Sequence, residues 1–503
     1  MKPPSAPGLP PSAPGHAGGH VAGADGAVVA VDVGTSAVRA AVLAADGTVL
    51  AARRVARPAD GGRGFDAEAL WGAVAAALGG LEGRRWAPRA LAVAAHLGTI
   101  AVDARLRPVD EAGGWADPRG LDLLRALPEE IMGPLLAAAR RPAPSGGALA
   151  YALSLRERPG TRRAVRHLLS PKDFLTARLT GRVTTDRVNA AYTLLSDVAA
   201  GRWNEDAVTA LGLDPGWLPP QAAGHEVVGT LTGAAARECG LPPGTPVVAG
   251  GPDGSVGLGL LLGEGDAVAD VAGTTDVVGR LLADPLLAPA GAVVNPALTG
   301  GGWTAGGPTG MSGGAVARWR ALVGAVPEDE LARVPPGADG LLVLPAMSGS
   351  RFPRWHPADR GAVLGQGPGH TPAHLLRAAQ EGASFTVREA VDLLDPPTSG
   401  SAPLPVAMAG GTARSVSAAR MRADVLRRTV LVCDQPDVTL LGAAALALIG
   451  AALTPDLPTA RHRLGCTFHE LHPNPAHAAP YDTQYHRWLQ ARTTLSGLTP
   501  PAV

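Results

Sequence analysis

Lysine is almost missing from this chain. Of 503 residues only Lys2 and Lys172 are lysines, so arginine carries nearly all of the positive charge. That scarcity excludes two common nucleotide sites. A Walker A loop ends in Gly-Lys-Ser/Thr, and a protein-kinase core needs a strand lysine. Neither lysine sits in such a context. Cysteine is nearly as rare. Cys239, Cys433 and Cys466 are far apart, without metal-ligand spacing or a disulfide framework, which fits a reduced, cytoplasmic protein. Neither sign of charge is in excess, since basic and acidic residues number 44 each. No footprint for nucleic acid or an anionic membrane follows. The apolar run 438–453 is shorter than the roughly 18 residues a membrane span needs, and its Ala and Gly content reads as a packed internal helix.

The first 26 residues are mostly Pro, Gly, Ala and Ser and contain no apolar core of a signal peptide. They read as a disordered tail, with His16 and His20 incidental. What remains is rich enough to bury two cores. Hydrophobic residues make up 46% of the chain, and this length exceeds a single core. Strand-like runs at 28–33, 40–43, 49–55 and 91–95 alternate with helical spacing at 66–81, 121–140 and 162–169. Asp66 is an expected N-cap. Pro242-Pro243-Gly244-Thr245-Pro246 is the strongest internal punctuation, so the expected boundary lies near 246, with 247–251 as a buried strand opening the second half. Helices are expected at 370–394 and 414–426. The alternation makes this an α/β protein.

Two segments echo each other. Asp32-Val33-Gly34-Thr35-Ser36 lies early, and Ala272-Gly273-Thr274-Thr275-Asp276 lies nearly half a chain later. Each reads as a hairpin tip of Gly plus two hydroxyls. Backbone N–H groups and hydroxyls in such a tip suit phosphate oxygens, and two facing tips would grip a triphosphate from both sides. Asp253, in Gly250-Gly251-Pro252-Asp253-Gly254, follows a buried strand. A carboxylate there opens into the crevice where α/β ligands bind and suits a general base; binding turn amides is the alternative. Trp115-Ala116-Asp117-Pro118-Arg119 offers a ring, a carboxylate and a guanidinium for a polyhydroxylated ligand; an Asp–Arg pair beside a packed Trp fits equally. His96 follows a strand and reads as either a substrate contact or a core histidine. Gly410-Gly411-Thr412-Ala413-Arg414 joins a strand to a helix, whose N-terminus attracts phosphate or a polar ring edge.

These residues carry a resemblance. The chain after residue 27 resembles the FGGY carbohydrate kinases of the actin-like ATPase superfamily. The resemblance runs through Asp32–Ser36, Ser170-Pro171-Lys172-Asp173, Gly251–Gly254, Gly273–Thr275, Gly410–Ser415 and Leu441–Ala444. It is most specific from Met347-Ser348-Gly349-Ser350-Arg351-Phe352-Pro353 on to Phe385. It implies two actin-like (ribonuclease H-like) domains, 27–246 and 247–490, around a ligand cleft, then a tail at 491–503. It implies ATP with Mg²⁺, Asp253 as catalytic base, and Asp32 with Asp253 at the metal. Gly34, Thr35, Ser36, Arg39, Gly273, Thr274, Thr275, Gly313 and Gly314 would hold phosphates, and Gly410, Gly411 and Arg414 the adenosine. His96, Trp115, Asp117, Arg119 and Asp253 would hold the sugar. The partner it implies is a small-molecule sugar, neither nucleic acid nor membrane, and it allows a homodimer. The expected substrate is a ketopentose such as xylulose; gluconate, a polyol, or a non-catalytic sensor role are the alternatives. Gly254 and Ala95-His96-Leu97-Gly98 depart from the commoner family pattern, and so does Asp276 after the second tip.

Overall fold

Strand β1 (Val28–Val33) is buried at every position, as expected of a central strand covered on both faces. It pairs antiparallel with β2 (Ala37–Leu43), which pairs antiparallel with β3 (Val49–Ala56). On its other side β1 runs parallel to β4 (Leu91–Ala95), and β4 runs parallel to β5 (Pro246–Val248). The second half repeats this layout. Strand β6 (Val268–Ala272) pairs antiparallel with β7 (Asp276–Leu282), and β7 with β9 (Trp303–Pro308), whose outer neighbour is β8 (Val293–Pro296). On the other side of β6 lie β10 (Val406–Ala409) and β11 (Val430–Cys433), both parallel to it in series. The computed structural model describes residues 26–57, 63–144, 146–263, 265–397 and 402–496. The expected N-terminal tail therefore lies outside the described residues except for Gly26.

Two helices fill the space between the sheets: α3 (Asp253–Leu262) and α7 (Val438–Gly450). Their apolar side chains share one core with both sheets, joining Val28, Ala30 and Ala92 to Leu260, Ala443 and Ala407. Small residues set how closely they pack. A Cβ on Gly442 would lie 2.6 Å from the Val256 carbonyl oxygen. Here the expectation for 438–453 holds: the run is a buried internal helix, and among the described residues no helix is long and apolar enough to cross a membrane. Helix α1 (Ala67–Gly79) starts where expected, with Asp66 accepting from the Glu68 and Ala69 N–H groups at 2.8 and 3.1 Å. Four further helices matter below: α2 (Pro171–Thr180), α4 (Ser312–Val323), α5 (Pro372–Leu394) and α6 (Val416–Leu426), which carries Arg422.

Several expectations need correction. The stretch 247–251 does not open the second half. Strand β5 and the pair Gly251–Pro252 both add to the first sheet alongside β4. They are separated at Gly250, which has φ +75° and whose Cβ would sit 2.1 Å from the Val93 carbonyl oxygen. So the first sheet runs past residue 246 and hands over to α3. The helical stretch 162–169 is a short helix, Pro159–Ala164, then a strand, His167–Leu169, which pairs with Ile100–Val102. That pairing overrides local spacing. The stretch 121–140 is two helices, Leu121–Arg125 and Glu129–Ala139, parted at Pro128, because the residue before a proline avoids helical geometry. At the C-terminus, helix α8 (Ala478–Ser496) carries packed structure through 491–496, where a tail was expected; Arg492 pairs with Glu389 and stacks on Trp488.

Candidate active site

The two Gly-Thr tips occupy matching turns, β1–β2 and β6–β7. At the first, Gly34 donates to the Ala37 carbonyl at 3.0 Å, leaving Thr35 and Ser36 exposed. Arg57 braces it from below, donating from Nη1 to the Gly34 carbonyl at 2.7 Å and lying 3.2 Å from His96 Nε2. His96 Nδ1 lies 3.1 Å from the Leu97 carbonyl, which makes Nδ1 the donor and Nε2 the acceptor from Arg57. His96 therefore links the first tip to the cleft wall. At the second tip, the N-terminus of α4 presses against the turn. The Gly314 N–H donates to the Thr274 carbonyl at 2.8 Å. A Cβ on Gly313 would lie 2.1 Å from the Gly273 carbonyl oxygen, and one on Gly314 2.8 Å from Thr274 Cγ2. Only glycines allow this approach. Gly410, with φ +101°, brings the next turn against the same tip, where its Cβ would lie 2.6 Å from the Ala272 carbonyl oxygen. Arg414 ends the one-turn helix that follows.

Asp276, the departure noted in the sequence, has a structural explanation. It is buried beneath the second tip with Asp270, and both carboxylates share Arg422, at 3.1 and 2.5 Å. Burial raises the pKa of Asp270 to about 7, against the lowering effect of Arg422.

Asp32 and Asp253 come from opposite ends of the first domain's chain and stand near one another. Asp32 is buried, and burial lifts its carboxyl to about 6; Arg39 pulls it down, while Asp253 and Asp437 push it up. Arg39, facing Asp32 across β1–β2, forms ion pairs with both Asp32 and Asp437. Asp253 is half-buried at the first turn of α3. Burial raises its pKa as well, opposed by its bond from the Gly254 N–H at 2.7 Å and by Arg39. Two carboxylates that both hold protons too firmly mark a place short of positive charge. A divalent cation fits that shortage. Among the described residues no group of three or more His, Cys, Asp or Glu side chains is placed to hold a metal.

A cleft of ≈ 620 Å³ opens beside Asp253. Thr35, His96 and Trp115 line it from the first half, and Val277, Arg351 and Trp355 from the second. Asp117 and Arg119 do not line it. Their carboxylate and guanidinium pair with each other at 2.8 Å, and Arg119 also reaches Asp110 and stacks on Tyr151. The structure thus turns this pair into the wall behind Trp115, while Trp115 itself is half exposed. Sequence reasoning assigned no role to Arg57, Arg141, Tyr192 or Asp437. None lies in a short motif; each reaches the site only through tertiary contacts. Asp173 also lines the cleft and is tied to the buried Lys172, which is shared with Asp186.

Comparison with known proteins places this geometry. Residues 27–259 match the N-terminal domain of the FGGY family of carbohydrate kinases, and residues 268–451 match its C-terminal domain. The xylulose kinase of Streptomyces coelicolor is 33% identical over 77% of this chain and 79% of its own. The gluconokinase of Bacillus subtilis is 26% identical over 73% and 75%. Among solved structures, gluconate kinase from Lactobacillus acidophilus superposes with a TM-score of 0.84 at 21% identity, over 93% of this chain and 98% of that one. The mixed α/β two-domain architecture is therefore that of the sugar kinases, and the chain belongs to the FGGY family of carbohydrate kinases, which are ATP-dependent sugar phosphotransferases.

Proposed function

We propose that the cleft holds the sugar against Trp115 and His96, with ATP spanning from the Gly410–Arg414 turn to the two Gly-Thr tips. The observation that supports this most is that Thr35 and Asp253 line the same cleft. A hydroxyl suited to phosphate oxygens and a carboxylate of raised proton affinity thus face one cavity.

In this reading Asp253 accepts the proton of the attacking hydroxyl as that oxygen forms its bond to the γ-phosphorus and the bond to the β-phosphate oxygen breaks. The proton stays on the Asp253 carboxyl until product leaves. Gly34, Thr35 and Ser36 bind the triphosphate from one side and Gly273, Thr274 and Thr275 from the other, with Gly313 and Gly314 fixing the second tip. Arg39 holds Asp32 in place. Asp32 and Asp253 would hold Mg²⁺ through water, and the ion when bound supplies charge neutralisation for the phosphate oxygens. Positioning and electrostatics carry most of the acceleration in such a transfer. Asp117 and Arg119 act by setting Trp115 rather than by touching sugar. The three cysteines are free and buried, in keeping with a cytoplasmic setting.

ADP release measured against a panel of ketopentoses, polyols and aldonates tests the proposal. Sugar-dependent turnover is expected. Sugar or nucleotide binding without turnover would instead make the protein a sensor.

A further inference from the structure

Arg422 ties together two elements that flank the proposed nucleotide site. It stands on α6, which begins at Val416, just past the 410–414 turn. Its Nη1 donates to Asp270 Oδ2 at 2.5 Å and its Nη2 to Asp276 Oδ2 at 3.1 Å. Those carboxylates stand on β6 and β7, the two strands joined by the second Gly-Thr tip. Asp276 directly follows the tip and fastens further neighbours through its backbone. Its carbonyl accepts from the Thr309 N–H at 2.8 Å, and its N–H donates to Ser312 Oγ, at the start of α4, at 3.1 Å. One guanidinium therefore sets both strands of the tip against the helix that follows the turn.

Alternation puts Asp270 and Asp276 on the face of the sheet that carries Val268, Ala272 and Val278. Met408 of β10, Val387 and Val391 of α5, and Ala419 and Ala423 of α6 belong to the same apolar core. Well-packed apolar side chains often serve such a position as well as buried ions do. The charges here do not balance either. Two carboxylates face one guanidinium, and Asp270 Oδ1, Asp276 Oδ1 and Arg422 Nε are buried without a hydrogen-bond partner. Among the described residues Arg422 is the one cation that acts on either carboxylate. Arg280 of β7 is turned to Asp395, Arg388 of α5 to Asp482, and Asp424 of α6 to His477. Arg318 and Arg320 of α4 are exposed, and β9 and β10 carry no charge.

We propose that Arg422, Asp270 and Asp276 position the second tip for the triphosphate, and that they do so while the cluster holds one proton. This rests on the kinase reading above and adds a proton to its nucleotide step. One proton brings two carboxylates and a guanidinium to neutrality. Burial holds both carboxyls above the ordinary carboxylate range, Asp270 at about 7. When the proton leaves to solvent at higher pH, an uncompensated negative charge lies beneath the tip and repels the triphosphate. Linkage makes the effect mutual, so bound triphosphate holds the proton more firmly.

The test is calorimetry on the full-length protein with Mg-AMP-PNP and with AMP, which lacks the β- and γ-phosphates. Asp270→Asn keeps an acceptor for Arg422 and leaves one carboxylate to one guanidinium. Between pH 6.5 and pH 8.5 the wild-type Kd for Mg-AMP-PNP should rise ~5-fold more than that of Asp270→Asn, the change for a carboxyl moved by the ligand from about 7 to about 8. AMP should show no such difference. In two buffers of different ionisation heat at pH 7.5, the wild type should take up roughly half a proton more than Asp270→Asn on binding Mg-AMP-PNP. Arg422→Met should weaken Mg-AMP-PNP by ~10-fold or more and AMP by less than about threefold, with part of the loss restored in Arg422→Lys. Melting curves check folding, and the charge-balanced Asp270→Asn decides the matter if Arg422→Met does not fold. Parallel pH profiles for wild type and Asp270→Asn would make the cluster a structural ion network and overturn the inference while the kinase reading stands. Equal losses for AMP and Mg-AMP-PNP in a folded Arg422→Met would do the same. If Mg-AMP-PNP binds at no pH, the kinase reading fails and the inference falls with it.

Discussion

Arg39 and Asp437 form an ion pair at 2.5 Å between residues 398 positions apart. Asp437 precedes helix α7 and could cap it, yet no side-chain cap bond forms there. Its carboxylate is turned to Arg39 instead, and Arg39 also holds Asp32. The head of a second-half helix is thereby tied to the β1–β2 hairpin that carries the first Gly-Thr tip. One charged chain, Asp32–Arg39–Asp437, thus links the two halves through side chains.

Asp253→Asn keeps the shape of the proposed base but cannot take a proton. Loss of a general base costs about 10² to 10⁴ in rate. Turnover should fall by that order while sugar and ATP affinities, measured by calorimetry, stay within a few-fold. Near-normal turnover in this variant would remove Asp253 from the role.

Asp32 gives a pH signature in stability. Its folded pKa, about 6, lies above the ordinary carboxylate value. The folded protein therefore holds the proton more firmly than the unfolded chain, and stability declines as pH rises from about 4 to about 6. Asp32→Asn has no proton to lose. Relative to wild type, its melting temperature should rise across that interval and level off above it. Mg-ATP should stabilise the wild type more than the variant. Parallel melting curves at pH 4 and pH 8 would count against the raised pKa.

Asp117→Ala should act on stability before it acts on sugar binding. The carboxylate accepts from the Arg119 backbone N–H at 3.0 Å and from its guanidinium, and Arg119 leans on Asp110 and Tyr151. Loss of a charged hydrogen-bond partner costs about 1–3 kcal/mol. A lower melting temperature is expected, with KM values for sugar and ATP changed to similar, modest extents. A large rise confined to the sugar KM would bring Asp117 back to the substrate.

Gly313→Ala should injure the second tip selectively. The added carbon would stand 2.1 Å from the Gly273 carbonyl oxygen, so the tip or the start of α4 must shift. The KM for ATP should rise by ~10-fold or more, with sugar binding in the absence of nucleotide unchanged. Thr274→Val, which removes only a hydroxyl, should weaken ATP more than ADP. If the Gly313→Ala variant binds ATP normally, α4 does not buttress the tip.

Much of this site could be read from local sequence because its parts are turns. Gly-Thr-Ser after a valine-rich strand reads as a hairpin tip, and 28–33, 37–43 and 49–56 fold in that pattern. The Asp66 cap and the apolar run ending at Gly450 were legible for the same reason: capping and helix burial depend on neighbours a few residues away. The extent of the first sheet was not legible. Pro242–Pro246 looks like a border, but whether 246–252 pairs with β4 or with a later strand is settled by hydrogen bonds to residues some 150 positions earlier.

The Trp115–Arg119 segment shows the same division within five residues. Composition placed a ring, an acid and a base together. Only packing decided that the ring faces the cleft and the ion pair faces Asp110 and Tyr151. Asp270, Asp276 and Arg422 could not be read from the sequence as a cluster, for Arg422 lies 152 and 146 positions from the two acids along the chain. Sequence by itself determined the repeated strand–turn–strand units, their glycine tips and the two acids that follow or sit within buried strands, since these rest on backbone geometry and short-range patterning. The tertiary structure decided which charges are left without a partner, because compensation of a buried charge depends on what lies within a few ångströms in space, whatever its distance in sequence.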